Sequence, residues 1–234
     1  MSLKTYTIEN IGDITVYKRK DAKKISLKVV SGSVRVTQPA WLPYRAGIVF
    51  AEKNQPWIKK QLAKDSLYCL QNSIKIGKNY TLNFIQSDKM RSYVRYNDID
   101  VYYMQNQEIL SDDIQLLAKK AIKRALMSET KELLPERIQH MANTYDYKYG
   151  SIKIKPMKSR WGSCDSNKDI TINCYLIHMP WEVIDYVILH ELTHTVHMHH
   201  GSEFWTAIQK NMPDYKERRK ILKNMQLEVS NMQI

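Results

Sequence analysis

Cysteine is scarce in this chain: three residues in 234, Cys69, Cys164 and Cys174, with no CxxC pair among them. An odd number of widely spaced thiols argues against a disulfide framework and points to a reducing compartment, so a cytoplasmic location is expected. A run of about 18 apolar residues is also missing, which excludes an ordinary membrane-spanning helix and a membrane partner of that kind. The opening MSLKTYTIEN carries no apolar h-region of a signal peptide. There is no internal sequence repeat and no low-complexity linker. Acidic residues are in deficit: 24 Asp and Glu against 36 Lys and Arg leave a net charge of +12. Such a balance invites contact with nucleic acid or another polyanion, although basic residues spread along a chain also serve solubility. The run Lys18-Arg19-Lys20 with Lys23-Lys24 reads as a solvated strand edge, with polyanion contact there as the alternative.

What the chain does contain is organised in two halves. Residues 4 to 38 alternate apolar and polar positions in short runs separated by Gly, Asp and Ser, which predicts a β-meander or small sheet. From Tyr44 to about Asp65 the period turns helical, with Ile48, Phe50, Trp57, Ile58 and Leu62 inward. Two strands are expected at Asn79–Gln86 and Asp98–Met104. A long helix should run from about Asp113 to Tyr145, capped at Ser111 with acidic residues in its first turn, and kinked or divided at Pro135. Next comes a hairpin, SIKIKPMKSRWGSC and ITINCYLI around the turn DSNKD, followed by a helix introduced by Pro180. The expected fold class is α+β, with a β-rich N-terminal half at 1–110 and a catalytic half at 111–234, one continuous domain being the alternative.

Five of the seven histidines fall within VILHELTHTVHMHHGSEFW, residues 187–205. In His190-Glu191-Leu192-Thr193-His194 the two histidines are four apart, so on a helix both imidazoles reach one ion. Zinc suits such ligands: it is borderline-soft and redox-inert, and its catalytic sites combine three protein ligands with a water. Zinc acidifies that water, and Glu191, next to the first ligand, can take the proton as general base. The third ligand is a question of geometry. His197 on a continuous helix would sit about 10 Å along the axis from His190, and His200 about 15 Å. Either therefore requires the helix to end or bend. A turn at Gly201 would let His200 return to the ion, which favours it, and His197 stays open as the alternative.

The stretch KSRWGSCDSNKDITINCYLIHMPWEVIDYVILHELTHTVHMHHGSEFW resembles the YgjP-like metal-dependent hydrolases, or metallopeptidases. The resemblance rests on Trp161-Gly162-Ser163-Cys164, Pro180, Ile184-Asp185-Tyr186-Val187, His190 to His194, and His200 with Phe204-Trp205. It is strong over residues 156–205 and continues more weakly toward the N-terminus. His199 stands where that pattern carries Asn. The segment His-Gly-Ser-Glu-Phe also resembles SprT-like proteases. The resemblance implies a zincin-like catalytic half, one Zn2+ on His190, His194 and His200, and Glu191 as general base acting on a peptide or protein substrate.

Arg160, Tyr175 and Asn173 are candidates for contacts to substrate or transition state, Tyr175 as a donor to a developing oxyanion. Surface charge for Arg160, and strand packing for the other two, are the plainer roles. Trp161 reads as core, Cys164 as a buried thiol, and Phe204 and Trp205 as anchors of the turn that delivers His200. Two other functions fit the same residues. One is hydrolysis of nucleotides or other phosphorylated small molecules. The other is a nucleic-acid-associated protein whose metal is structural, closed by a fourth protein ligand such as His197 or Cys164.

Overall fold

A computed structural model of the chain describes residues 2–30, 33–67 and 70–232, so Cys69 lies outside the described residues. The chain divides into two compact units, residues 1–70 and 71–234.

In the first unit, β1 (Ser2–Ile8), β2 (Gly12–Arg19), β3 (Ser26–Val30) and β4 (Ser33–Pro39) form one sheet, followed by α1 (Tyr44–Lys53) and α2 (Gln55–Leu67). The alternation read from the sequence sends Ile14, Val16, Val34 and Val36 inward, where they meet Ala51 and Ile58 of the helices. Gly47 permits the close approach of α1, since a Cβ there would stand 2.5 Å from Gln38 Oε1 and 3.0 Å from Val16 Cγ1. The sheet is not a meander. Its order is β1-β2-β4-β3, with β2 and β4 parallel, because residues 20–25 carry the chain past the position that β4 later fills. The single helix expected from Tyr44 to Asp65 is two. Asn54 breaks it, donating Nδ2 to the Phe50 carbonyl, and Pro56 falls in the first turn of α2, where its missing N–H costs nothing. Trp57, expected inward, is 43% exposed, and Ile58 takes the buried position.

The second unit opens with β5 (Ile74–Ile76), β6 (Tyr80–Ser87), β7 (Arg91–Arg95) and β8 (Asp98–Met104), in the order β5-β6-β8-β7 with β6 and β8 parallel. This is the topology of the first sheet, strand for strand, without a sequence repeat to announce it. Turn chemistry and alternation determine such a topology and do not require matching residues. The division expected near residue 110 accordingly moves to residue 70: β7 and β8 pack on α3 (Asp112–Thr144) and belong with the C-terminal half. Ser111 occupies the N-cap position without a side-chain capping bond, and Asp112 and Asp113 supply the acidic first turn. Pro135 neither divides nor ends α3, which runs unbroken for 33 residues, roughly 50 Å.

That helix is the spine of the unit. Its Ile114, Ala118, Ala121, Ile122, Ala125 and Leu126 are buried, and Thr130 Oγ1 donates to the Cys174 carbonyl at 3.0 Å. Buried Glu129 accepts from the backbone N–H groups of Lys78 and Asn79, tying the β5–β6 turn down. Near its C-terminal end, Arg137 forms a two-point ion pair with Asp185 (Nη2–Oδ2 2.8 Å) and lies 4.6 Å over the Trp181 ring. The Pro-Trp-x-x-x-Asp lead into the next helix therefore anchors that helix to α3. A second, three-stranded sheet has β11 (Ile170–Asn173) at its centre, β10 (Gly162–Cys164) antiparallel on one side and β9 (Ile152–Lys155) parallel on the other. The helices α4 (Trp181–His194), α5 (Ser202–Asn211) and α6 (Tyr215–Met232) complete the unit. The architecture is α+β as expected, and no helix among the described residues is long and apolar enough to cross a membrane.

Candidate metal centre and active site

α4 forms because a proline enters it and an apolar run fills it. Val183, Ile184, Val187, Ile188, Leu189 and Leu192 are all buried. Its polar residues then gather at the C-terminal end, where His190, Glu191 and His194 follow one another within a turn and a half. The helix stops at His194, with Thr195 as C-cap. Residues 195–200 form an irregular loop, and it brings His200 back to the helix.

The outcome is one cluster. The ligating nitrogens of His190, His194 and His200 lie within 4.8 Å of one another. His190 Nε2 stands 3.3 Å from His194 Nε2 and 3.0 Å from His200 Nε2. His194 donates its Nδ1–H to the His197 carbonyl at 3.1 Å, which fixes the tautomer and leaves Nε2 with its lone pair directed into the cluster. Burial first, and the neighbouring imidazoles second, push His190 down to about 3, so it stays neutral, the form that binds metal. Imidazole nitrogens this close need either a ring proton or a cation between them. The donor set, three imidazole nitrogens, fits zinc.

The helix ends earlier than Gly201, and Gly201 is not the hinge. Its φ of −75° and ψ of −174° are ordinary extended backbone, and it caps the start of α5. The delivery of His200 rests on aromatic stacking. The His200 ring stacks on Trp205 (5.7 Å, 23°), Trp205 stacks on Tyr215 (5.6 Å, 21°), and Trp205 Nε1 donates to the His200 carbonyl at 3.1 Å. Phe204, fully buried, packs edge-on to His190 at 4.9 Å. The two expected anchors of the turn are thus where the sequence places them, and Tyr215, which the sequence reading passed over, supports them.

His197 takes no part through its ring, which faces Glu203 at 3.5 Å; its backbone carbonyl is what touches the site. His199 is exposed and outside the cluster. Cys164 is a partly buried free thiol pushed up to about 11, by burial and then by Glu191, and it does not join the nitrogen cluster. Among the described residues no fourth protein ligand completes the group.

Glu191 is 4% exposed, and its Oε2 is buried without a hydrogen-bond partner. Burial pushes its carboxyl up to about 8, opposed only by the charge of Arg160. It projects into a cavity of about 190 Å3 whose walls include Arg160, Gly162, Tyr186, His190 and Leu222. A larger cavity of about 370 Å3 lies between α3 and the α5–α6 connection, but neither the histidine cluster nor Glu191 reaches it, and its Arg137 and Arg218 are paired with Asp185 and Asp214. The smaller cavity is the one with the chemistry.

Gly162 explains much of the WGSC segment. A Cβ there would stand 2.5 Å from Glu191 Oε1 and 2.6 Å from both Cδ and Cγ, so the strand β10 can lie against the carboxylate only because the position has no side chain. Substituting Gly162→Ala should displace Glu191 and lower turnover by at least about tenfold, since misplacement on the scale of 1 Å is costly at a reacting centre. Metal content should stay near wild type while the melting temperature falls modestly, as for overpacking of about 1–3 kcal/mol; turnover equal to wild type would remove this role.

The other expected contacts separate. Arg160 is exposed at the cavity and remains a candidate. Asn173 is 1% exposed and fully engaged: Nδ2 donates to the carbonyls of Met157 and Arg160 (both 2.9 Å), and Oδ1 accepts from the N–H groups of Met157 and Tyr175. It clamps the loop that presents Arg160 and does not face a substrate. Tyr175 lies in a buried 3-10 turn, Cys174–His178, not on the strand, and at 2% exposure it offers no surface to a substrate. Tyr186 does line the cavity, its ring 5.9 Å from His190. The sequence signal for it is its place one helical turn before His190, within an apolar run that masks it.

The YgjP-like family model, described as a metallopeptidase domain, matches residues 23–225 of the chain. Two solved structures are similar over part of it. One is the metallopeptidase zymogen of Pyrococcus abyssi abylysin, 23% identical, covering 40% of this chain and 96% of that one with a TM-score of 0.37. The other is the metallopeptidase zymogen of Methanocaldococcus jannaschii jannalysin, 25% identical, covering 38% and 92% with a TM-score of 0.34. No curated protein is significantly similar.

Proposed function

Since the chain belongs to the YgjP-like family and carries its metallopeptidase domain, we propose that it is a zinc-dependent peptidase with Glu191 as its general base. Membership makes it a metal-dependent peptidase; the metal, the residues and their roles are our reading. His190, His194 and His200 would hold the ion through Nε2. Bound there, zinc supplies Lewis acidity, acidifying water and polarising a carbonyl. The observation that carries the proposal is the convergence of three imidazoles, with no fourth protein ligand among the described residues, beside a buried carboxylate that has a free oxygen.

The chain's own groups then have distinct tasks. Glu191 takes a proton from the attacking water at Oε2 and passes it to the leaving amine; burial raises its carboxyl, and a cation held by the three histidines would oppose that shift and favour the carboxylate. Arg160, exposed at the cavity mouth, is placed to bind a substrate carbonyl or carboxylate. β10 is the edge strand of its sheet, so an extended peptide can pair along Gly162–Cys164 beside the catalytic carboxylate. An edge strand recognises backbone, which suits a peptide better than a nucleotide.

Chelation should abolish cleavage of an unfolded protein such as casein, and one equivalent of zinc should restore it. A chelated protein that still cleaved casein, or a zinc-loaded protein that released phosphate from nucleotides and left casein intact, would overturn the reading.

A further inference from the structure

The chain's positive charge is not evenly spread. Residues 1–70 contain thirteen Lys and Arg against five Asp and Glu, a net of +8 out of the chain's +12, in less than a third of its length. The peptidase site needs none of it, because every residue of that site lies in the second unit.

Part of this charge is gathered at one end of the first sheet. A concavity of about 580 Å3 there is lined by Lys18, Lys20 and Ala40, with Arg19 held to Asp21 at 2.7 Å. The backbone N–H of Ala40 donates to the Arg19 carbonyl at 3.0 Å, so the next residue, Trp41, leaves the sheet beside this basic rim. Trp41 is 80% exposed, the most exposed tryptophan among the described residues. Tyr44 follows at the start of α1, with the ammonium of Lys18 4.6 Å and that of Lys4 5.3 Å from its ring centre. The first turn of α1 carries no acidic residue and no side-chain cap.

Two features are therefore juxtaposed: a basic concavity at Lys18 and Lys20, and an exposed indole on the residue that follows Ala40 of its wall. We propose that this end of the N-terminal unit binds single-stranded nucleic acid, Lys18 and Lys20 contacting phosphates and Trp41 stacking on a base. Cationic grooves flanked by aromatic rings hold single strands this way, because every base offers a face to stack and every nucleotide a charge. A bilayer fits less well. Membrane binding needs several apolar side chains on one face; of the unit's other exposed large apolar residues, Leu3 alternates with Lys4 and points to the opposite face of the sheet, and Val49 and Trp57 stand on two different helices. The proposal is independent of the peptidase reading.

The test uses the full chain and three probes: a 20-nucleotide oligo-dT, an abasic strand of the same length, and vesicles of anionic phospholipid. Oligo-dT should bind and quench tryptophan emission, and the quenching should vanish in Trp41→Phe. Trp41→Ala should weaken oligo-dT binding by about 5- to 150-fold, the range for loss of one stacked base, and leave the abasic strand unaffected. The double variant Lys18→Ala, Lys20→Ala should flatten the plot of log affinity against log salt by about 1.4, for two lost phosphate contacts on a single strand. Casein cleavage should be unchanged in all variants. Equal binding of oligo-dT and the abasic strand would overturn the proposal in favour of charge alone. So would an unaltered salt slope, or binding and Trp41 emission changes seen only with vesicles.

Discussion

Replacing Glu191 with glutamine should lower kcat for peptide cleavage by about 10²- to 10⁴-fold while the protein keeps its zinc, the range that a positioned general base contributes. Glutamine preserves the shape of the side chain against Gly162 and removes only the ability to accept a proton. The three imidazoles are untouched, so metal content by elemental analysis should match wild type. A Glu191→Gln protein with wild-type turnover would remove Glu191 as base. The same substitution carries a second, opposite consequence for the metal-free protein. Burial raises the Glu191 carboxyl from 4.5 to about 8, so the folded state holds this proton more tightly than the unfolded chain does. The sign follows directly: the neutral side chain is tolerated below about 4.5, and stability falls as pH rises from there through about 8. The loss is on the order of a few kcal/mol for a group this buried. Glutamine has no such dependence. Under chelation, the variant should therefore melt higher than wild type at pH 8.5 and nearly level with it at pH 4.5; a gap that did not widen with pH would contradict the burial argument.

The second large effect concerns the third ligand. His200→Ala should weaken zinc binding by more than about 100-fold, since even the outer partners of metal ligands cost 10- to 100-fold. His197→Ala should leave zinc binding within a few fold of wild type, because the contact from residue 197 to the site is its backbone carbonyl, which alanine retains. Competition with a chromogenic chelator distinguishes the two. Unchanged affinity in His200→Ala, or a loss in His197→Ala as large as that expected for His200, would reassign the ligand. Phe204 and Trp205 make the contrast sharper. The stack of His200 on Trp205 and of Trp205 on Tyr215 holds the ring in place before any ion arrives, so little ordering opposes binding.

Much of this site was legible along the chain because its essential pair is local. His190 and His194 meet through helical spacing, and Glu191 lies one residue from a ligand. The strands of the first unit and the course of α3 were legible for the same reason: alternation and helical period act over a few residues. Pro135 does not divide α3, since the long helix packs against β7, β8 and the Cys174–His178 turn, and tertiary burial offsets the bond a proline removes. Trp57 was misplaced because one helical face had to be chosen without knowing where Asn54 would break the helix. Asn173 lies on the strand and packs, the plainer of its two expected roles, whereas Tyr175 falls beyond the strand in a 3-10 turn that has no periodic signature.

The sequence by itself determined the pairing of His190 with His194, the carboxylate beside them and the helix that bears them, because each follows from contacts within about one turn. Four things were decided by tertiary structure alone. These are the convergence of His200 on the pair, the need for an empty position at Gly162, the placement of the second sheet with the C-terminal half, and the gathering of Lys18, Lys20 and Trp41 at one sheet end. Each joins residues distant in the chain or held by irregular backbone, and such contacts are set by packing and by hydrogen bonds of loops, which local pattern does not encode.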